Sequence, residues 1–309
     1  MELNDLLGFG KLAEAMKEPI VKLIEVCHSG IGKLYEPTHI KRVAKSRAEE
    51  IKIISNAIRE NLDLPSKYIE GNFELDAMQY EELYTRMHLR LDYQEICKQN
   101  NIETVILGAA NCLNKIESVS PEPVDKDWIV RFFNIVSDIS NEKMQIIWSK
   151  ILAGEIESPG SFTLRTLDVL RNISQKEAEI FVKIANYVIY SESDNDYCIF
   201  WSENSNNHFN YDEIFLLDEA GILSTTHAIA PFKFINTARI ETCIYNDIKI
   251  DISKINDENK ANYGFTAFIL TNAGIELYRL LSDLKCDKKY LEDWAQNLRE
   301  QGLIIEYKI

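Results

Sequence analysis

The densest set of side chains that could do chemistry is basic: Lys41, Arg42, Lys45 and Arg47, with Lys52 further along. Lys41, Lys45, Lys52 and Arg59 follow one another at helical spacing, so a helix here carries its cations along one stripe. Such a stripe can track phosphates or an anionic membrane surface. Glu49 and Glu50 damp that field. Mixed charge is also the usual character of a solvated helix face. The opposite side of the same segment reads Ile40, Ala44, Arg47, Ile51, Ile54, Ile58, alternating four and three like a coiled-coil seam. Ile40, Ile51, Ile54 and Ile58 are therefore the expected interface residues, and Arg47 is the one polar intruder.

Motifs for catalysis are scarce. Glu241, Asp247 and Lys249 resemble, in degenerate form, the two acids and a lysine with which a nuclease holds a divalent ion. Triplets of this kind arise by chance in any charged chain. There is no phosphate-cradling glycine loop, no Gly-x-Ser-x-Gly elbow and no His-Glu-x-x-His. His28, His39, His88, His208 and His227 have no evident partners in sequence. The six cysteines (Cys27, Cys97, Cys112, Cys198, Cys243 and Cys286) form no Cys-x-x-Cys and sit at no zinc-ligand spacing. They read as small buried hydrophobes of a reduced, cytoplasmic compartment. Cys27 beside His28 points about 100° away from it on a helix, a poor geometry for a thiol–imidazole pair. No cofactor, metal or catalytic residue is implied.

The charge balance narrows the partners. The chain has net charge −15, yet residues 11–59 hold ten Lys and Arg against six Asp and Glu. An acidic protein of this kind is not a general nucleic-acid binder, so an anionic partner would have to meet the N-terminal segment. No secretion signal is visible, and the longest apolar run, Val105 to Ala110, is far too short to span a bilayer.

The elements that must position these residues are mostly helices. Phe9, Leu12, Met16, Ile20, Leu23, Ile24 and Cys27 form an amphipathic stripe bent at Pro19. Gly30, Gly32 and Pro37 break it, and the basic helix follows from Thr38 to Asn61. Further helices are expected over Met78–Gln99, with Tyr80, Leu83, Tyr84, Met87 and Leu91 inward, and over Ile102–Ile116. Residues 1–118 thus read as a helical bundle or helical hairpins. Ser118–Val124 reads as a linker.

Residues 125–190 read as a helical block. Asp125, Ser140 and Ser161 are its expected caps, with a Ser174/Glu177 capping box for a helix reaching Ile189. Trp128 and Trp148 are expected in its core. Glu155 and Arg165 flank the Pro159-Gly160 turn and could pair across it. Residues 191–309 change character, with strand-like runs at Tyr197–Trp201, Phe232–Ile235, Ile240–Ile252 and Gly264–Leu270. A helix over Tyr211–Ala220, stopped by Gly221, and helices from Thr271 and Lys288 complete the order of a winged-helix-like domain. The expected fold is mainly α, with a C-terminal α+β winged-helix-like domain. Asp212, Glu213, Asp218 and Glu219 on its presented helix repel phosphate, so that domain reads as a protein-binding one.

The segments "DWIVRFFNIVSDISNEKMQIIWSKILAGEIESPGSFTLRTLDVL" and "ISQKEAEIF" resemble an uncharacterised bacterial family known only as a domain of unknown function. "GIGKLYEPTHIKRVAKSRAEEIKII" and "RLDYQEICKQNNIETVI" fit it as well. The helix bearing "W-x-x-I-L-A", with the later "S-x-x-E-A", is more faintly similar to the abortive-infection alpha family of phage-resistance proteins. The resemblance implies a bacterial or phage-borne protein connected with phage defence, and it supplies no activity or catalytic residue. The expected function is a non-enzymatic interaction or regulatory protein, either a homo-oligomer or one part of a defence complex. The alternative is a nucleic-acid-associated protein using the basic stripe, and a third possibility is peripheral membrane attachment by the first helix.

Overall fold

The computed structural model describes residues 18–31, 77–192, 196–201, 208–225, 229–230, 241–254, 265–282, 284–300 and 302–308. The chain divides into two compact units, Met1–Ser161 and Phe162–Ile309. The division falls just after the Pro159-Gly160 turn, inside the block expected at 125–190. The Ser118–Val124 stretch lies within the first unit and is held there. Lys22 Nζ donates to the Ser120 carbonyl (2.6 Å), and the Ser120 N–H donates to the Glu157 carbonyl (2.9 Å). Val124 is buried.

The first unit contains α1 (Glu18–Ile31), α2 (Ala77–Leu113), α3 (Lys126–Val136) and α4 (Glu142–Glu157). Its core joins Leu23 and Cys27 of α1 to Val105, Ile106, Ala109 and Leu113 of α2. Phe132 and Phe133 of α3 and Trp148, Ile151 and Leu152 of α4 complete it. Trp128 stacks on Phe132 (centroids 5.0 Å apart), and Phe132 meets Trp148 edge-on (5.6 Å), so both tryptophans belong to the core as expected. Asp125 caps α3 through the Trp128 N–H (2.8 Å). The cap of α4 is Asn141 rather than Ser140, its side chain accepting from the Met144 N–H (3.1 Å). Gly30 does not end α1. A side chain there would strike Ile129 and Phe133, so the glycine permits α1 to lie against α3.

Two helices expected on either side of residues 100 and 101 are one helix of 37 residues. No glycine or proline interrupts 99–101, and the Asn101 side chain donates outward to the Ser137 carbonyl (2.8 Å) instead of competing for its own backbone. Gln145 donates to Ile139 O (2.8 Å) and Asn101 Oδ1 (3.3 Å), and the Ser149 hydroxyl meets Val105 O (3.0 Å). This string of polar contacts registers α4 on α2.

The second unit corrects the fold class. It begins with α5 (Leu164–Asn172) and α6 (Gln175–Ala185), and later carries α7 (Tyr211–Glu219), α8 (Asn272–Tyr278) and α9 (Lys288–Glu300). Its strands are β1 (Ile189–Ser191), β2 (Asp196–Trp201), β3 (Leu223–Ser224), β4 (Ile229–Ala230), β5 (Glu241–Tyr245), β6 (Ile248–Lys254), β7 (Phe265–Leu270) and β8 (Leu303–Tyr307). They join in one antiparallel sheet of order β3-β7-β2-β1-β5-β6-β8, with β4 also pairing with β7. A sheet of this breadth replaces the two- or three-stranded wing that a winged helix carries, so the mainly-α, winged-helix reading does not hold. The run expected as one strand, Ile240–Ile252, is a hairpin. Asn246 and Asp247 take φ of 43° and 68°, the two left-handed residues of a tight turn, and Tyr245 pairs with Ile248 across them.

Helix α9 covers the sheet. Tyr290 accepts from the Phe200 N–H and donates to the Phe200 carbonyl (both 3.0 Å), while Trp294 stacks on the Phe200 ring (4.7 Å). Gly221 at φ +76° ends α7 as expected, and the Ser174/Glu177 capping box opens α6. The cap of α5 is Thr163 rather than Ser161.

Candidate interaction surface

The long helix α2 is buried over only part of its length. Among its described side chains the buried ones begin at Ile102, and from Glu82 to Ile96 none is fully buried. At 1.5 Å per residue α2 is roughly 55 Å long, against roughly 24 Å for α4. Leu83, Met87 and Leu91 continue the core-facing side toward the N-terminus and are exposed, contrary to the inward placement expected for them. Tyr84 is half-buried and lies edge-on to His88 (4.2 Å).

A second apolar stripe runs along the other side of the same helix. Leu89 is 65% exposed, Tyr93 69%, Ile96 62% and Leu107 40%. At 3.6 residues per turn these four lie nearly opposite Val105 and Ala109, which are fully buried. A helix that is apolar on two sides is ordinarily a buried one. Such large side chains in water mark a surface that loses free energy by being covered.

Lys41, Arg42, Lys45, Arg47 and Lys52, together with Ile40, Ile51, Ile54 and Ile58, lie outside the described residues. The degenerate nuclease triplet is not assembled. Glu241 opens β5 and pairs with Ile252, whereas Asp247 sits in the turn at the other end of the hairpin. The four strand steps from Glu241 to Tyr245 alone cover roughly 13 Å, and Asp247 lies beyond them. Lys249 is exposed and lies 4.0 Å from Asp251. Among the described residues no group of three His, Cys, Asp or Glu is placed to hold a metal ion.

Cys27 is buried while His28 is exposed, so the two form no pair. Burial pushes the Cys27 thiol up to about 12, which makes it an inert core residue. Burial also lowers the Lys22 ammonium, against the attraction of nearby carboxylates led by Glu18. The helix expected to be presented, α7, is tied to α6 by Lys183 and Glu213 (2.6 Å). Glu155 closes its turn by accepting from the Gly160 N–H (2.7 Å).

Sequence reasoning missed one polar cluster. His208 Nδ1 lies 3.1 Å from Asp287 Oδ2, although the two are 79 positions apart, and the imidazole packs against Tyr187 and Tyr290. Asp287 also caps α9 through the Lys289 and Tyr290 N–H groups, and its own N–H donates to the Tyr245 hydroxyl (3.0 Å). Burial raises the Tyr245 and Tyr290 phenols well above their ordinary value and raises Tyr187 too, so these rings act as neutral packing and hydrogen-bonding groups. The local signal available was an N-cap aspartate before α9, and nothing in sequence tied it to His208. An open groove of about 590 Å³ lies elsewhere in the second unit, with Arg165, Asp168 and Asn172 along one face of α5 and Glu177 and Glu219 opposite.

A helical unit with a long, partly exposed helix, followed by an α+β unit built on a broad antiparallel sheet, defines the class. A family model described as "Protein of unknown function (DUF2806)" matches residues 85–295, and the chain belongs to that family. No curated protein and no solved structure matches it, so the likeness to the abortive-infection alpha family finds no support there. None of the described helices is long and apolar enough to cross a membrane.

Proposed function

We propose that this is a cytoplasmic, non-enzymatic interaction or regulatory protein that works as part of a protein assembly, with α2 as the arm that engages it. The observation that carries this reading is the exposed apolar surface of α2 from Leu83 to Ile96. Leaving Leu89, Tyr93 and Ile96 in water forgoes about 1.5–3 kcal/mol for each large apolar side chain that could be buried. Protein surfaces that associate cluster aromatic and aliphatic anchors in this way. A bacterial phage-defence complex is the setting in which we place the assembly, on the strength of the "W-x-x-I-L-A" likeness alone.

The test is native mass spectrometry on the full chain purified from its own host at low salt. The expected result is a defined homo- or hetero-complex that is lost when Leu83, Leu89 and Ile96 are all changed to Asp. A monomer without protein partners contradicts the reading. So does a species that carries nucleic acid released by salt, which would move attention to Lys41, Arg42, Lys45 and Arg47.

A further inference from the structure

We infer that the outer stripe of α2 pairs with the same stripe of a second copy, the two helices running antiparallel and centred between Ile96 and Asn100. This rests on the reading of α2 as an interaction arm and names its partner. Leu89, Tyr93, Ile96, Asn100, Glu103 and Leu107 follow one another at spacings of four, three, four, three and four. That is the a/d spacing of a coiled-coil seam through more than two heptads, apolar at four of its six positions and polar at Asn100 and Glu103. It lies on the side of α2 away from the core that the first unit's described residues form. Leu89, Tyr93, Asn100 and Leu107 are all exposed there.

The composition of the seam chooses the partner and the direction. A parallel pair would stack Glu103 against its own copy, burying two like charges face to face. An antiparallel pair places Leu89 opposite Leu107, Tyr93 opposite Glu103, and Ile96 opposite Asn100. Each apolar end then meets an apolar end, and the Tyr93 hydroxyl can donate to the Glu103 carboxylate alongside the 2.7 Å bond that Glu103 Oε1 already accepts from the Gln99 side chain. A seam that is complementary to its own reverse fits a two-fold interface between identical chains.

The seam is roughly 27 Å long, and two such helices at ordinary packing distance bury on the order of 1,000 Å² in total. That is the low end of specific interfaces, so the dimer is expected to be weak and to depend on concentration.

The experiment uses the full chain, pure and without other proteins. Sedimentation velocity across a concentration series should show a monomer–dimer equilibrium, and Ile96→Asp should raise its dissociation constant at least tenfold. Leu89→Lys should do the same. Both positions are solvent-exposed, so circular dichroism should show the helical content of each variant unchanged. Direction is read by mild oxidation against the parent chain's own cysteines as background. Leu89→Cys mixed with Leu107→Cys should give a new disulfide-linked dimer, while either alone should not. Monomer at all concentrations, or a dimer indifferent to Ile96→Asp, overturns the inference. Self-linking by Leu89→Cys alone overturns the antiparallel arrangement. A monomer here that still forms a hetero-complex in the host removes the second copy as partner and leaves the proposed function standing.

Discussion

Glu276 Oε2 accepts a 2.5 Å hydrogen bond from the Thr166 hydroxyl, 110 positions away, and a 2.7 Å bond from the Thr163 N–H. Glu276 is buried, and Thr166 is buried completely. One carboxylate from α8 therefore serves the N-terminus of α5, where the Thr163 N–H has no intrahelical partner and the Thr166 hydroxyl otherwise meets only the Thr163 hydroxyl (3.1 Å). Glu276→Ala should leave the part-buried Thr163 N–H unsatisfied and cost about 1–3 kcal/mol in urea unfolding. Glu276→Gln, which keeps one acceptor, should cost less. Equal losses for the two variants would mean that shape rather than hydrogen bonding sets the position.

Gly108 sets the distance between α2 and α4. A Cβ there would lie 2.2 Å from Ser149 Oγ and 2.7 Å from Ser149 Cβ, far inside contact distance. Gly108→Ala should destabilise the protein by about 1–3 kcal/mol, as overpacked cores do. Gly108→Ala combined with Ser149→Ala should cost less than the two changes summed, because the closer of the two clashing atoms is gone. Thermal melts of the four proteins measure this. Strict additivity would show that α4 moves freely away from α2.

Arg299 protects the outer edge of the sheet. Its Nη2 donates to the Ile305 carbonyl of β8 (3.3 Å), and its guanidinium lies over the Tyr307 ring (5.8 Å). Charged side chains are a common guard on edge strands, whose free backbone groups otherwise recruit other chains. Arg299→Ala should change unfolding free energy by less than about 1 kcal/mol yet raise concentration-dependent light scattering. Scattering equal to that of the parent chain would remove this role.

Cys27 has a pH signature. Its thiol is pushed up to about 12 in the folded protein from an ordinary value of 9.0. A group raised on folding contributes stability that is complete below its unfolded pKa and is lost as pH rises through its folded one. Stability should accordingly decline between about pH 9 and about pH 12. Modification of Cys27 by a thiol reagent at pH 8 should require unfolding, unlike that of the half-buried Cys97 and Cys112. Rapid native labelling of Cys27, mapped by mass spectrometry, would contradict this.

What was legible in the sequence was local. Asp125, Ser174 with Glu177, Thr271 and Gly221 announce helix ends because capping involves only three or four neighbouring residues. The fold of the second unit was not legible for the converse reason. β1 has three residues, β3 and β4 two each, too short for a period to register, and β8 alternates over just five positions. Their identity comes from pairing with strands far along the chain, as when Tyr190 meets Ile244. The hairpin turn at Asn246-Asp247 could have been found from residue types that tolerate positive φ. Gly30 misled in the other direction, since its role is close packing against α3 rather than helix termination. The outer stripe of α2 was written in the sequence from Leu89 to Leu107, but the more hydrophobic face of the same helix hid it.

Hydrogen exchange tests the central claim, that α2 is the surface through which the protein assembles. Backbone amides over residues 83–107 would be followed by mass spectrometry at low and at high protein concentration. The account predicts protection that rises with concentration over this stretch, while the buried amides of α4 around Trp148 stay unchanged. Protection over 83–107 that is the same at every concentration, with or without host partners, would contradict it.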